Sequence, residues 1–221
     1  MTPQENAKRD LMRMSMAVAG VAAISAVALI LAPVKASSTS PEPGNKAPGF
    51  TGLTSNGETI SLDQFAGKKV ILEWTNDGCP YVQKYYDSGK MQETQKIASA
   101  DEDSVWITVI SSAPGKQGHV DASQANTLTD ERGAAPDHVI LDPEGIVGRA
   151  YSAKTTPHMF VIDETGTVQY NGAIDDRPSA RPSSLEGATN YALAALNAVN
   201  AGKKPDPART KPYGCSVKYD S

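Results

Sequence analysis

Short apolar runs divided by turn residues set the rhythm of this chain. "KKVILEW" (68–74) and "SVWITVISS" (104–112) are stretches of β-branched and apolar side chains, the pattern of strands buried on both faces. "FTGLTSNGETISL" holds Asn56-Gly57 between two strand-like halves and predicts a hairpin, because both turn residues accept positive φ. "HMFVIDETGTVQYNGAI" predicts a second hairpin turning at Thr165-Gly166, and "DHVILDPEG" a short strand. A helix is expected to start at Pro80, where a missing N–H is no loss, to break near Asp87-Ser88-Gly89 and to resume in "KMQETQKIASA". "DASQANTLTDERG" reads as a helix closed by Gly133, and "IVGRAYSA" as a short one. In "SSLEGATNYALAALNAVNAG", Leu185, Ala188, Ala192, Leu196 and Val199 share one face, with Gly202 at the end. The order is hairpin, strand, helix, strand, helix, strand, helix, hairpin, helix. It predicts an α/β fold with a central mixed β-sheet flanked by helices on both faces and an N-terminal β-hairpin.

The first 36 residues stand apart. Lys8, Arg9 and Arg13 precede an uncharged, alanine-rich run, 14–34, followed by "VKASS" with small residues at Val34 and Ala36. This describes an export signal cleaved after Ala36, or a retained membrane anchor through residues 14–34; either reading puts the domain outside the cytoplasm, in or facing the periplasm. Residues 37–46, rich in Ser and Pro, read as a linker, 47–204 as the folded domain and 205–221 as a tail carrying Cys215. The net charge of −4 and the lack of a basic stripe argue against nucleic acid as a partner.

The chain has two cysteines, Cys79 and Cys215, too few for a disulfide framework and without the spacing of a structural zinc site. Cys79 falls where a buried strand meets a helix start. Unpaired N–H groups and the helix dipole stabilise a thiolate there, although a lone cysteine is also a common buried hydrophobe. Glu73 interrupts "VILEW": buried, it would hold a raised pKa and move protons for a thiol; on an edge strand it would face water. Thr156-Pro157 precedes a strand, and a cis bond there would set Thr156 against the cysteine with its backbone open to substrate.

These residues resemble the thioredoxin-like redoxins, specifically the peroxiredoxin-like branch of the alkyl hydroperoxide reductase/thiol-specific antioxidant superfamily. The resemblance rests on "APGFTGLTSNGETISLDQFAGKKVILEW", "TNDGCPYVQKYY", "TTPHMFVIDETGTVQYNGAIDD" and "GCSVKY", across residues 47–219. It implies a thioredoxin-like fold, Cys79 as nucleophile, Pro157 as the cis-proline facing it, and Glu73 in the place of thioredoxin's buried aspartate. Cys79-Pro80-Tyr81-Val82 is similar to the glutaredoxin "CPYC", but Val82 removes the vicinal dithiol. Peroxiredoxins carry a hydroxyl residue and a proline where this chain has Asn76 and Leu72; Asn76 retains an amide donor for a peroxide.

The expectation is an exported thiol–disulfide oxidoreductase. Cys79 attacks, Glu73 handles the proton, Cys215 or an external thiol closes the cycle, and Thr156, Pro157, Asn76, Pro80 and Tyr81 form the substrate site. Partners are protein or small-molecule thiols and disulfides, and no cofactor or metal is called for. The alternatives are a thiol peroxidase and a copper-binding chaperone using the two cysteines and His158. Asp175-Asp176 with Arg177 reads as a solvated turn with a local ion pair.

Overall fold

The computed structural model describes residues 41–220. The export or anchor segment, the start of the linker and Ser221 lie outside the described residues. Among the described residues no helix is long and apolar enough to cross a membrane.

Among the described residues nine strands form: β1 (Thr51–Thr54), β2 (Thr59–Ser61), β3 (Lys69–Trp74), β4 (Ser104–Ile110), β5 (His138–Leu141), β6 (Thr155–Thr156), β7 (His158–Ile162), β8 (Val168–Gly172) and β9 (Cys215–Ser216). Seven of them make one mixed sheet in the order β2-β1-β5-β4-β3-β7-β8. β3 runs parallel to β4 and antiparallel to β7, which places it at the centre of the core. Its side chains alternate between two apolar layers. Val70, Leu72 and Trp74 join Ile107, Phe160 and Tyr151 on one face, and Ile71 joins Trp106, Met159 and Val161 on the other. Both faces are therefore shielded from water, which is why the sequence shows apolar runs, broken in β3 only by Glu73, instead of an apolar–polar alternation.

The helices are α1 (Pro80–Asp87), α2 (Lys90–Ser99), α3 (Ala122–Glu131), α4 (Ile146–Ala150) and α5 (Tyr191–Asn200). Gly89, at φ 74°, separates α1 from α2 at the predicted break. Asp121 and Gln124 form a capping box at the start of α3. Helices α1, α2 and α5 contribute to one apolar layer and α4 to the other.

Two expectations are corrected. The last helix begins at Tyr191, not near residue 183. Gly187 takes φ 65°, Pro182–Leu185 is a 3-10 turn, and Asn190 accepts from the Leu193 N–H at 3.0 Å as the true cap. Leu185 and Ala188 thus fall outside the helix, although the apolar period runs through them. Residues 41–46 are not a free linker either: Gly44 N–H donates to Val168 O at 2.7 Å, Val168 N–H to Asn45 O at 2.9 Å, and Asn171 Nδ2 to Pro41 O at 2.9 Å. This segment is zipped along β8.

Candidate active site

Cys79 is the N-cap of α1, with Pro80 in the first helical turn. The approach to it is shaped by side chains. Asn76 Oδ1 accepts from Gly78 N–H at 2.9 Å, Asn76 Nδ2 donates to Gln117 O at 3.0 Å, and Gln117 Nε2 donates to Gly78 O at 2.9 Å. Asn76 is thus spent on holding the loop, not turned toward a substrate. Pro80 is exposed, and Tyr81 packs edge-on against Tyr213 with centroids 5.8 Å apart.

Opposite Cys79 lies the Thr156–Pro157 bond, which is cis. The Cys79 sulfur is 3.1 Å from the Thr156 carbonyl. The Thr156 backbone is not open to substrate as expected. The tail returns across it, and β9 pairs with β6, Cys215 opposite Thr156 and Ser216 opposite Thr155. Cys215, 136 positions along the chain, is thereby brought against Cys79. Both are free thiols. The Cys79 side chain is 0% exposed, yet part of what covers it is this tail, not the aliphatic core alone.

The tail is fixed at many points. Thr210 Oγ1 accepts from Ala173 N–H at 2.8 Å, Val217 N–H donates to Lys154 O at 3.1 Å, and Tyr219 OH donates to Ala153 O at 2.9 Å. Tyr213 OH donates to Asp175, which also accepts from Tyr85 OH. Asp175 is buried, and its carboxylate faces the buried Lys84 ammonium at 3.5 Å. The reading of Asp175 as part of a solvated turn is therefore wrong; only Asp176 and Arg177 behave that way, pairing at the surface. Lys84 also donates to Arg177 O at 3.2 Å and Tyr213 OH at 3.1 Å, so a cluster of one ion pair and two tyrosines anchors the tail two residues before Cys215. Sequence reasoning missed this cluster. Its one visible sign was the acidic pair in "GAIDD", three residues past the end of the second hairpin.

Gly214 permits the close approach. It has φ 132°, and a Cβ there would lie 2.1 Å from the Thr156 carbonyl oxygen. Gly214→Ala is expected to lift β9 and speed alkylation of Cys79 several-fold, roughly the effect of about 1 kcal/mol lost from docking. A rate equal to wild type would show that β9 does not shield the thiol.

The two sulfurs are electrostatically unequal. Burial opposes the Cys79 anion. The Cys215 thiol, the Thr156 side chain and the backbone N–H groups of Cys215 and Val82 outweigh it, so the Cys79 pKa lies below that of an ordinary thiol. The Thr156 hydroxyl has no other partner, and the thiolate supplies one. Cys215 is pushed up to about 11, by burial first and then by giving its hydrogen bond to a charged Cys79. Removing that donor with Cys215→Ala is expected to raise the midpoint of the Cys79 alkylation profile with pH. An unchanged midpoint would place the thiolate's stabilisation elsewhere.

Glu73 is completely buried, under α1 and α2. It accepts from Tyr86 OH at 3.0 Å, Trp106 Nε1 at 3.1 Å and Thr108 Oγ1 at 3.3 Å, and makes no hydrogen bond to either cysteine. Burial raises its pKa despite those donors. The folded protein thus holds this proton over a pH interval in which the unfolded chain has released it. The associated stability is present below the ordinary carboxylate pKa and is lost as pH rises through the raised one. Glu73→Gln is expected to resist urea better than wild type at pH 8, with a smaller gap at pH 5; a gap independent of pH would refute a buried, titrating carboxylate.

His158 has both ring nitrogens engaged, Nδ1 accepting from Lys154 N–H and Nε2 donating to Asn171 Oδ1. It is not available to join the cysteines as a ligand. No group of three or more potential metal ligands occurs among the described residues.

Two solved structures share the architecture. A hypothetical protein from Sinorhizobium meliloti 1021 superposes with a TM-score of 0.68 at 20% identity, over 85% of this chain and 100% of its own. An uncharacterized conserved protein from Geobacillus kaustophilus gives 0.69 at 21%, over 81% and 93%. No curated protein matches the chain. The redoxin family model matches residues 42–188, which takes in both hairpins, Cys79 and the Thr156–Pro157 loop. With that span and this sheet, the chain belongs to the redoxin family and has the thioredoxin-like fold.

Proposed function

We propose that this redoxin is an exported thiol–disulfide oxidoreductase in which Cys79 attacks and Cys215 resolves. The Cys79 thiolate attacks one sulfur of a substrate disulfide. The S–S bond breaks, and the second substrate sulfur leaves as a thiolate that takes up a proton. Cys215 then gives up its proton and attacks the Cys79 sulfur of the mixed disulfide, forming a Cys79–Cys215 disulfide and releasing the remaining substrate as a thiol. External thiols reduce that bond and close the cycle; run backwards, the oxidised pair oxidises substrate thiols.

The observation that carries this reading is the β6–β9 pairing, which sets Cys215 opposite Thr156, the residue whose carbonyl lies 3.1 Å from the Cys79 sulfur, and packs Cys215 against the cluster that holds Cys79. Glu73, bonded to Tyr86, Trp106 and Thr108 and to neither sulfur, takes no part in the proton transfers written above and acts by holding the packing beneath α1. Thr156 and Pro157 form the wall against which a substrate sulfur is presented once β9 moves aside. Export rests on the charged, apolar and small-residue succession in residues 1–36. The substrates are protein or small-molecule disulfides. Peroxide reduction has less support, because the Asn76 carboxamide is committed to the Gly78–Gln117 loop.

The test is exchange with a small aromatic disulfide. Cys79→Ser is expected to abolish the reaction while Cys215→Ser still releases the first thiolate. Undiminished exchange in Cys79→Ser would reject the assignment.

A further inference from the structure

The β6–β9 ribbon has two sides. Neighbouring residues of a strand face opposite ways, so Thr156 meets Cys79 while Thr155 faces the other side. On that side Thr155 lines a pocket of about 570 Å³, a volume within the ~300–1,000 Å³ of small-molecule sites. One wall comes from the core, with Ser152, Lys154 and His158; the other comes from the tail, with Arg209 and Lys211.

Two of the three cations lining this pocket are uncompensated. Among the described residues no carboxylate lines it, and neither Lys154 nor Lys211 has an ion-pair partner; only Arg209 does, reaching out to Glu42. His158 adds no charge. Burial above all, with the Lys154 and Arg209 charges adding to it, lowers its pKa to about 4. Two cations from different parts of the chain are therefore felt at one buried ring. Ser152 at the rim takes φ 48°, the left-handed conformation that non-glycine residues adopt at a local cost. Like charges gathered around a cavity repel, and an anion between them reverses the sign of the interaction.

We propose that this pocket binds a small organic anion bearing carboxylate or phosphate groups, and that the bound anion clamps the tail to the core by bridging Lys154 and Lys211. Occupation then holds β9 over Cys79, so the pocket controls access to the thiol from the far side of the ribbon. The site goes beyond the exchange reading and stands without it, since it needs only the docked tail.

Calorimetric titration of the purified full chain with succinate, with inorganic phosphate and with neutral succinamide, at constant ionic strength, tests the site. One or both anions are expected to bind and succinamide not; which anion binds more tightly separates the carboxylate source from the phosphate one. Lys154→Gln/Lys211→Gln is expected to lose about tenfold or more in affinity. These are surface positions, and circular dichroism checks that the variant folds. Saturating anion is expected to slow maleimide labelling of Cys79 several-fold in wild type and not in the double variant. Absence of anion binding, or equal binding by the double variant, overturns the site. Binding without any change in Cys79 labelling overturns the clamp. Neither result bears on whether Cys79→Ser abolishes exchange, so the two proposals fail separately.

Discussion

Cys215→Ser is expected to convert a turning-over redoxin into one that stops at the mixed disulfide. The first step needs only the Cys79 thiolate, so one equivalent of leaving thiol should still appear at close to the wild-type rate. The second step loses an attacking sulfur held by strand pairing against its target, and intramolecular attack of that kind exceeds what dilute external thiol supplies. Turnover at low external thiol is expected to fall about 100-fold, with the substrate retained on Cys79 and visible by mass spectrometry. High thiol concentrations should restore it in part. Turnover equal to wild type, with no adduct, would leave Cys215 as a residue that only pins the tail.

The second large effect concerns stability. Lys84 and Asp175 form an ion pair with both side chains fully shielded from solvent. Removing one partner of such a pair strands the other charge in a poorly polarisable environment, at a cost of about 3–5 kcal/mol. Asp175→Ala is expected near the lower end, about 3 kcal/mol, because Lys84 keeps the Arg177 carbonyl and the Tyr213 hydroxyl as acceptors. The same change takes away the acceptor of the Tyr213 hydroxyl and leaves the tail held by fewer bonds, so Cys79 should become quicker to alkylate under native conditions. Lys84→Met with Asp175→Asn is expected to recover much of the stability, since no charge is left unpaired. Urea denaturation of wild type and the two variants separates these outcomes. If the double variant were as unstable as Asp175→Ala, packing and hydrogen bonds, not charge, would govern the cluster.

Most of the secondary structure was legible because its signals are local. Asn56-Gly57 makes a hairpin through backbone freedom, Pro80 starts a helix through its missing N–H, and Gly89 interrupts one where a positive φ is needed. The last helix was misjudged for a related reason. Apolar period alone carried it back to Leu185, whereas the conformation of Gly187 and the Asn190 cap set its start. Half of the candidate site was legible in the same way. Cys79 is marked by its junction and Thr156-Pro157 by its place before a strand. Cys215 on the tail was named as a resolving thiol, but what holds the tail over the site was not legible. Gly214, Tyr213, Asp175 and Lys84 have no common sequence pattern, and their meeting depends on a tail that returns across the sheet.

The sequence by itself determined that a thiol sits at the mouth of a helix in an α/β domain, because strand, helix and turn preferences act over a few residues. Tertiary structure alone decided which groups surround that thiol. The partner sulfur, the buried lysine and the basic pocket are assembled by contacts spanning tens to more than a hundred positions, where burial and charge pairing, not local preference, set the free energy.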